Sequence, residues 1–115
     1  MVNIYGIKNC DTMKKALTWL EKNSVEFQFH DYKKVGVEQD SLVQWLEKKP
    51  WDELINQRGT TWRKLPDDSK TDIDNNKAVS LMLANTSLIK RPVLIVDNEL
   101  YLGFKEDMYQ KIFNT

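Results

Sequence analysis

The sequence has a single cysteine, a single histidine, only three prolines and four glycines, and no long hydrophobic run. One cysteine excludes an internal disulfide and any cysteine-rich metal site. No stretch approaches the roughly 18 apolar residues that a membrane-spanning helix needs. The first residues carry neither the positive charges nor the apolar core of a secretion signal. We therefore expect a cytoplasmic protein that contacts no membrane.

The sequence also has no excess of charge of either sign, because 17 basic residues are balanced by 17 acidic ones. A surface that binds nucleic acid depends on an excess of positive charge, so no nucleic-acid partner is expected. No spacing of side chains indicates a metal site or a bound organic cofactor. The remaining classes are small-molecule chemistry and protein binding.

What the sequence does have is enough apolar material for one packed core, since 41% of its 115 residues are hydrophobic. Val2 to Tyr5 alternates as a short strand would, and Val25 to Tyr32 is predicted to be a second strand. Between them, apolar residues follow the i, i+3, i+4, i+7 spacing of one helical face: Met13, Ala16, Leu17 and Leu20. This strand–helix–strand unit predicts two parallel strands.

The middle of the chain is predicted to be mainly helical, with Gly59 at positive φ closing a short helix. Residues 92–96 and 99–103 are predicted strands joined by a tight turn at Asp97–Asn98. Residues 106–113 form a predicted terminal helix whose inward residues are Met108, Ile112 and Phe113. The order of elements indicates an α/β fold. We expect one domain, residues 1–115, with a helical insertion at about residues 37–86.

Cys10 is the candidate catalytic residue because of its position. A free cysteine is often a small buried hydrophobic residue. Cys10, however, follows the first strand and comes directly before a predicted helix, where unpaired backbone N–H groups and the helix dipole stabilise a thiolate. Lys8 is expected to add a positive charge, which Asp11 opposes. A thiolate is the nucleophilic form of cysteine, so a reactive thiol is predicted.

The rest of the composition narrows the chemistry. Because no second cysteine exists, any intermediate on Cys10 must be resolved by an outside thiol, such as glutathione or a glutaredoxin-like protein. His30 lies in a predicted strand and is interpreted as structural, which leaves a cysteine–histidine hydrolase poorly supported.

Only three arginines accompany fourteen lysines. A guanidinium can bind an oxyanion or a carboxylate through two hydrogen bonds, which makes Arg58 and Arg91 candidate anion-binding residues. Arg63 fits a surface salt bridge better.

Three motifs together resemble the arsenate reductase (ArsC)/Spx family, and within it the YffB-type members. They are the Tyr-Gly-Ile-Lys-Asn-Cys-Asp-Thr run at residues 5–12, the Arg58–Gly59 turn, and Ile-Lys-Arg-Pro-Val-Leu at residues 89–94. The resemblance covers essentially the whole chain. It implies a thioredoxin-like fold with an inserted helical subdomain, and it implies that Pro92 is a cis proline facing the active-site loop.

The resemblance also implies roles for individual residues. Cys10 matches the nucleophile of arsenate reductases, and Arg58 and Arg91 match two of their oxyanion-binding arginines. Lys8 is expected to help bind an anion, and Asn9, Thr12 and Pro92 to shape the site. Two positions depart from the family pattern. Phe104 stands where the third arginine is expected, and Gly6 stands where arsenate reductases have a histidine.

These observations predict a glutathione-linked thiol oxidoreductase with Cys10 as nucleophile and glutathione as co-substrate. Two alternatives remain open. One is arsenate reduction that depends on glutathione and glutaredoxin, which the departure at Phe104 makes less favoured. The other is an Spx-like regulatory module that binds RNA polymerase. The two-cysteine switch of Spx is excluded, because Met13 occupies the position of the second cysteine.

Overall fold

The structure is a computed structural model that describes residues 2–114. The chain divides into two compact units, one formed by the chain up to Tyr32 together with the chain from Arg91, the other by Lys33–Lys90. Within the described residues, no helix is both long and apolar enough to cross a membrane.

The first unit is a thioredoxin-like α/β structure built on a four-stranded sheet in the order β2-β1-β3-β4. Strands β1 and β2 are parallel, whereas β1 and β3, and β3 and β4, are antiparallel. Its elements in chain order are β1 (Val2–Gly6), α1 (Asp11–Lys22), β2 (Gln28–Asp31), β3 (Val93–Val96), β4 (Glu99–Leu102) and α6 (Glu106–Phe113). The predicted parallel pair, the hairpin and the terminal helix are confirmed.

Strand β2 is shorter than predicted, because the residues that precede it close helix α1. Ser24 takes a left-handed φ of 57°, and its N–H donates to the Glu21 carbonyl at 3.1 Å. The N–H of Val25 donates to the Leu20 carbonyl at 3.0 Å. This pair of bonds is a Schellman motif, which satisfies the last carbonyls of a helix. Val25 therefore belongs to the helix end rather than to the strand.

The core of the first unit lies between the sheet and its two helices. The buried cluster consists of Ile4, Met13, Ala16, Trp19, Leu20, Leu94 and Tyr109. The interior of α6 differs from the prediction, since Tyr109 is the fully buried residue and Met108, Ile112 and Phe113 are only half-buried against the cluster. Tyr109 takes this place because its ring packs edge-on against Trp19, with 5.5 Å between ring centroids.

The second unit is helical, as the sequence predicts for this part of the chain. Its elements are α2 (Gln39–Lys48), α3 (Trp51–Leu54), α4 (Thr60–Arg63), a 3₁₀ turn (Asp67–Lys70), α5 (Asn75–Ala84) and a second 3₁₀ turn (Thr86–Leu88). Helix α2 packs against α5. The ends of the unit are joined by an antiparallel bridge between Ile55 and Ile89, with the Lys90 N–H donating to the Leu54 carbonyl at 2.8 Å.

The prediction that Gly59 takes a positive φ and ends a helix is wrong. Gly59 has φ −82° and precedes the first residue of α4. The Asn56 side chain accepts a bond from the Arg58 N–H at 3.1 Å and lies so close that a Cβ on Gly59 would be 3.0 Å from its amide nitrogen. Glycine is used here for close approach to Asn56 and not for a left-handed backbone.

The β3–β4 hairpin turns through Asp97 and Asn98, whose φ values are 50° and 70°. Positive φ at both central residues is the signature of a type I′ turn, whose twist matches that of the flanking strands. We expect Asn98→Val to lower the free energy of unfolding by about 1–3 kcal/mol, because a β-branched residue is strained in this region. Urea unfolding measures the change. Asn98→Gly is the control and should be tolerated, and equal loss in both variants would contradict the turn assignment.

Candidate functional site

The register of the sheet brings two distant parts of the sequence together. Tyr5 near the end of β1 pairs with Val93 at the start of β3. The loop that follows β1 and carries Cys10 therefore lies at the same edge of the sheet as Arg91 and Pro92. The Arg91–Pro92 peptide bond is cis, as the resemblance implies. The Pro92 carbonyl accepts a bond from the Gly103 N–H at 2.9 Å, which fixes the entry to β3.

Cys10 is the residue that caps helix α1. Its backbone is extended, with φ −139° and ψ 129°, and its carbonyl accepts the first helical bond from the Lys14 N–H at 2.9 Å. The side chain is half-buried. This placement puts the sulfur at the N-terminal end of α1, although the side chain makes no capping hydrogen bond to the first turn.

The pKa of the Cys10 thiol is held below its ordinary value. Burial by itself raises this pKa, because a thiolate loses hydration when it leaves water. Hydrogen bonds from the Met13 backbone, the Arg91 side chain and the Thr12 backbone outweigh burial, and the positive charge of Arg91 adds to them. A thiolate fraction larger than that of a free cysteine is therefore present near neutral pH.

The cation that acts on the thiol is Arg91 and not Lys8. Lys8 and its neighbour Asn9 are exposed, and Lys8 is not among the groups that lower the Cys10 pKa. The expectation that Lys8 lowers this pKa is corrected accordingly, since a mobile exposed ammonium group contributes little through water. Thr12 contributes through its backbone N–H. Arg58 lies in the helical unit, exposed in the turn before α4.

Tyr32 is a member of the site that the sequence reading missed. It directly follows β2, is 1% exposed, and its N–H donates to the Gly6 carbonyl at 3.0 Å. Burial raises the pKa of its hydroxyl far above the ordinary value, the charge of Arg91 opposes this, and the charge of Cys10 reinforces it. Tyr32 is thus near both groups and stays protonated. An aromatic residue at the carboxyl end of a strand beside the cysteine loop was the available signal.

Gly6 and Met13 form a second pair that the sequence reading left unconnected. Met13 is completely buried in the first turn of α1. A Cβ placed on Gly6 would overlap the Met13 sulfur and would lie 2.7 Å from its methyl carbon and 3.1 Å from its Cγ. The Met13 side chain therefore occupies the space that any side chain at position 6 would need. Glycine at position 6 and methionine at position 13 are therefore one packing solution.

Phe104 also has a definite structural role. Its ring packs edge-on against Tyr109, with 4.7 Å between ring centroids, and it joins the aromatic cluster of Trp19, Tyr109 and Phe113. The side chain is half-buried against the core. Position 104 thus supplies apolar packing and no positive charge.

His30 is engaged away from catalysis. Its ring stacks on Tyr5 at 4.3 Å, and its Nε2 is 2.9 Å from the Asn3 side-chain oxygen. Burial lowers the pKa of His30, which favours the neutral ring. Across residues 2–114, no three His, Cys, Asp or Glu side chains are placed to share a metal ion.

Comparison with known proteins identifies relatives along nearly the whole chain. The sequence model of the ArsC family matches residues 5–112. The YffB protein has a solved structure with a TM-score of 0.92 and 48% identity, covering 96% of this chain and 97% of that one. An arsenate reductase (ArsC) related protein from Brucella melitensis is 50% identical, with a TM-score of 0.78 and coverage of 99% and 95%.

Two further likenesses are informative. The global transcriptional regulator Spx of Streptococcus pyogenes is 28% identical over 93% of this chain and 81% of its own. A glutaredoxin from Archaeoglobus fulgidus has a TM-score of 0.50 at 16% identity, covering 99% of this chain and 86% of that chain, a likeness of fold alone.

Removal of the Arg91 guanidinium should make the Cys10 thiolate less stable relative to the thiol. We expect Arg91→Met to raise the pKa of Cys10, because the variant loses both a hydrogen bond and a positive charge at the sulfur. The pH dependence of iodoacetamide alkylation reports this pKa, and its inflection should move to higher pH. Arg63→Met, an exposed residue of the helical unit, is the control and should leave the inflection in place. An unmoved inflection in Arg91→Met would contradict the assignment.

The Gly6–Met13 contact predicts strong coupling between the two positions. Gly6→Ala should lower the free energy of unfolding by about 1–3 kcal/mol, since the new methyl group overpacks against Met13. In a Met13→Ala background the same change should cost much less, because the obstructing side chain is gone. Urea unfolding of the two single variants and the double variant gives the coupling energy. Additive losses would show that the two side chains do not compete for one space.

Proposed function

The chain belongs to the ArsC family, and on that premise we propose that it is a glutathione-linked thiol oxidoreductase with Cys10 as its nucleophile. The observation that carries the proposal is the placement of one sulfur: Cys10 directly precedes α1 at the same edge of the sheet as Arg91, and donors of the Met13 and Thr12 backbone and of Arg91 lower its pKa. A buried structural cysteine needs no such donors. A thiol that reacts as a thiolate does.

The proposed reaction is thiol–disulfide exchange in two steps. In the first, the Cys10 thiolate attacks one sulfur of glutathione disulfide, a new sulfur–sulfur bond forms, and one glutathione thiolate departs. In the second, an outside thiolate attacks the glutathione sulfur of this mixed disulfide, and Cys10 is released as a thiolate. Each step makes one sulfur–sulfur bond and breaks one. Cys10 ends unchanged, and the outside thiol carries the glutathionyl group.

Several side chains would support this exchange. Arg91 lowers the pKa of the thiol and would hold an anionic part of the ligand, and Pro92 would shape the edge of the site beside it. Arg58, matched by its motif, is proposed as a second anion-binding residue, with Lys8 as an exposed third. Asn9 and Thr12 complete the loop, where Thr12 acts through its N–H. Tyr32 adds a neutral, buried wall.

An outside reductant is required because Cys10 is the only cysteine in the chain. Glutathione or a glutaredoxin-like protein is the proposed partner, and a reducing cytoplasm would supply both. Glutathione serves here as a co-substrate, and the proposed reaction needs no bound cofactor.

Arsenate reduction is the second candidate, favoured by the likeness to the arsenate reductase related protein of Brucella melitensis. It would start from the same thiolate. Phe104 weighs against it, because this position packs into the aromatic cluster and offers no third guanidinium for the oxyanion. Gly6 weighs against it as well, since Met13 fills the space beside it.

A regulatory role is the alternative suggested by the likeness to Spx. A redox switch of two cysteines is impossible here, because Met13 takes the second position and is completely buried. RNA polymerase binding without a switch would be independent of Cys10. Equal recovery of RNA polymerase by the wild type and Cys10→Ala would favour this alternative over the enzyme.

Intact-mass analysis tests the proposed function directly. After incubation with glutathione disulfide, we expect the wild type to gain the mass of one glutathionyl group, and reduced glutathione or a glutaredoxin to remove it. Cys10→Ser is the matched control and should gain nothing. Incubation with arsenate and reduced glutathione, followed by measurement of arsenite, tests the second candidate.

The outcomes separate the hypotheses. Arsenite formation that is lost in Cys10→Ser would replace the first proposal with the second. A wild-type thiol that stays unmodified in both incubations would contradict the enzyme altogether.

A further inference from the structure

A cavity of about 380 Å³ lies beside helix α1, and none of the residues that lower the Cys10 pKa lines it. Its wall consists of Lys14, Lys15, Thr18, Trp19, Lys22, Phe104 and Glu106. All of these residues belong to the first unit, and none has been given a role in the chemistry at Cys10. The cavity volume lies in the range of ordinary ligand pockets.

The rim of the cavity is positive. Lys14, Lys15 and Lys22 are exposed, and Glu106 is the one acidic residue among them. None of the three ammonium groups has an ion-pair partner within the described part of the chain. An anionic occupant would therefore complement this rim, although the protein as a whole carries no net charge.

The floor of the cavity is aromatic and rigid. Trp19 is 7% exposed, and its ring packs edge-on against Tyr109 at an interplanar angle of 89°. Phe104 packs against the same tyrosine at 84°. Rings held in this way present an apolar surface without a further loss of side-chain freedom on binding. An aromatic floor inside a charged rim is typical of the anchor points of protein interfaces.

The spacing of the lysines favours a peptide over a small anion. Lys14 and Lys22 are eight residues apart on one helix, a distance of about 12 Å along its axis. One carboxylate or phosphate cannot bridge that distance. In an extended peptide, two acidic side chains four residues apart are separated by about 13 Å. An acidic segment with an apolar side chain between its charges would thus match both the rim and the floor.

The position of the cavity relative to the thiol indicates which protein would bring this segment. Lys14 is four residues beyond Cys10 in the same helix, about 6 Å along its axis. A protein whose thiol reaches Cys10 would cover this part of α1 as well, since a typical interface buries about 800 Å² on each partner.

We propose that the cavity walled by Lys14, Lys15, Lys22, Trp19 and Phe104 docks an acidic segment with an apolar tip, carried by the thiol protein that reduces Cys10. This inference rests on the proposed function, because it concerns the outside thiol of the second exchange step. It adds the charge and shape that the partner should have, and it leaves the chemistry at the sulfur unchanged.

Three synthetic peptides of equal length test the proposal. Each contains one cysteine and one phenylalanine, and their remaining residues are rich in glutamate, rich in lysine, or neutral. The measurement is the rate at which each peptide removes glutathione from the Cys10 mixed disulfide. We expect the acidic peptide to react fastest and the basic peptide slowest, with the difference shrinking as salt is raised.

The variants locate the effect. Lys14→Glu/Lys22→Glu should slow the acidic peptide by about tenfold at low ionic strength, since two attractive pairs become repulsive. The control variant Lys48→Glu/Lys111→Glu changes the net charge by the same amount, at exposed lysines outside the cavity. It should slow the reaction of the acidic peptide far less. Reduction by dithiothreitol should be alike in all variants, which confirms that their folds and thiols are intact.

The results distinguish this inference from the proposed function. Equal slowing by the two double variants, or equal rates for the three peptides, would overturn the docking site while leaving the oxidoreductase in place. Failure of every peptide and of dithiothreitol to react, or failure of the mixed disulfide to form, would overturn both.

Discussion

The pKa of the Cys10 thiol is lowered by the first turn of α1 and by Arg91, and the other features of the site follow from this arrangement. The helix must begin directly after Cys10 for the backbone of its first turn to act on the thiol. Arg91 must lie at the same edge of the sheet, which the antiparallel pairing of β1 with β3 provides. Burial opposes the thiolate, so the donors have to outweigh it. The pKa of Cys10 is lowered because they do.

The residues that pack near Cys10 also have defined positions. The backbone of Met13 lowers the pKa of Cys10, and its side chain fills the space above Gly6. One residue therefore connects the position of the first helical turn with the end of β1. Tyr32, bonded through its N–H to the Gly6 carbonyl, holds the same strand end from the other neighbouring strand. The surroundings of the sulfur thus depend on backbone geometry and on Arg91 rather than on the exposed Lys8.

Periodicity and turn chemistry were sufficient to predict most elements of the fold. The amphipathic pattern of α1 predicted its buried face, and Asp97–Asn98 predicted the hairpin turn. The sequence could not show that Ser24 would close α1 in a left-handed conformation, because serine is not the usual residue there. The prediction of a positive φ at Gly59 was wrong for another reason. Glycine permits a positive φ, but here it makes room for Asn56. At the site, the position of Cys10 was predictable from one helix boundary. Met13 and Tyr32 were not, because their roles depend on contacts between strands and helix that no local pattern records.

The donors around Cys10 have a consequence for the direction of exchange. A thiolate stabilised by its surroundings is a weaker nucleophile than a free one, but it is also a better leaving group. When Cys10 carries a mixed disulfide, the same N–H groups and guanidinium favour its expulsion once another thiolate attacks the partner sulfur. In the proposed exchange, such a cysteine would release the group that it accepts. It would pass a sulfur-bound group onward, whereas a cysteine without these donors would retain it.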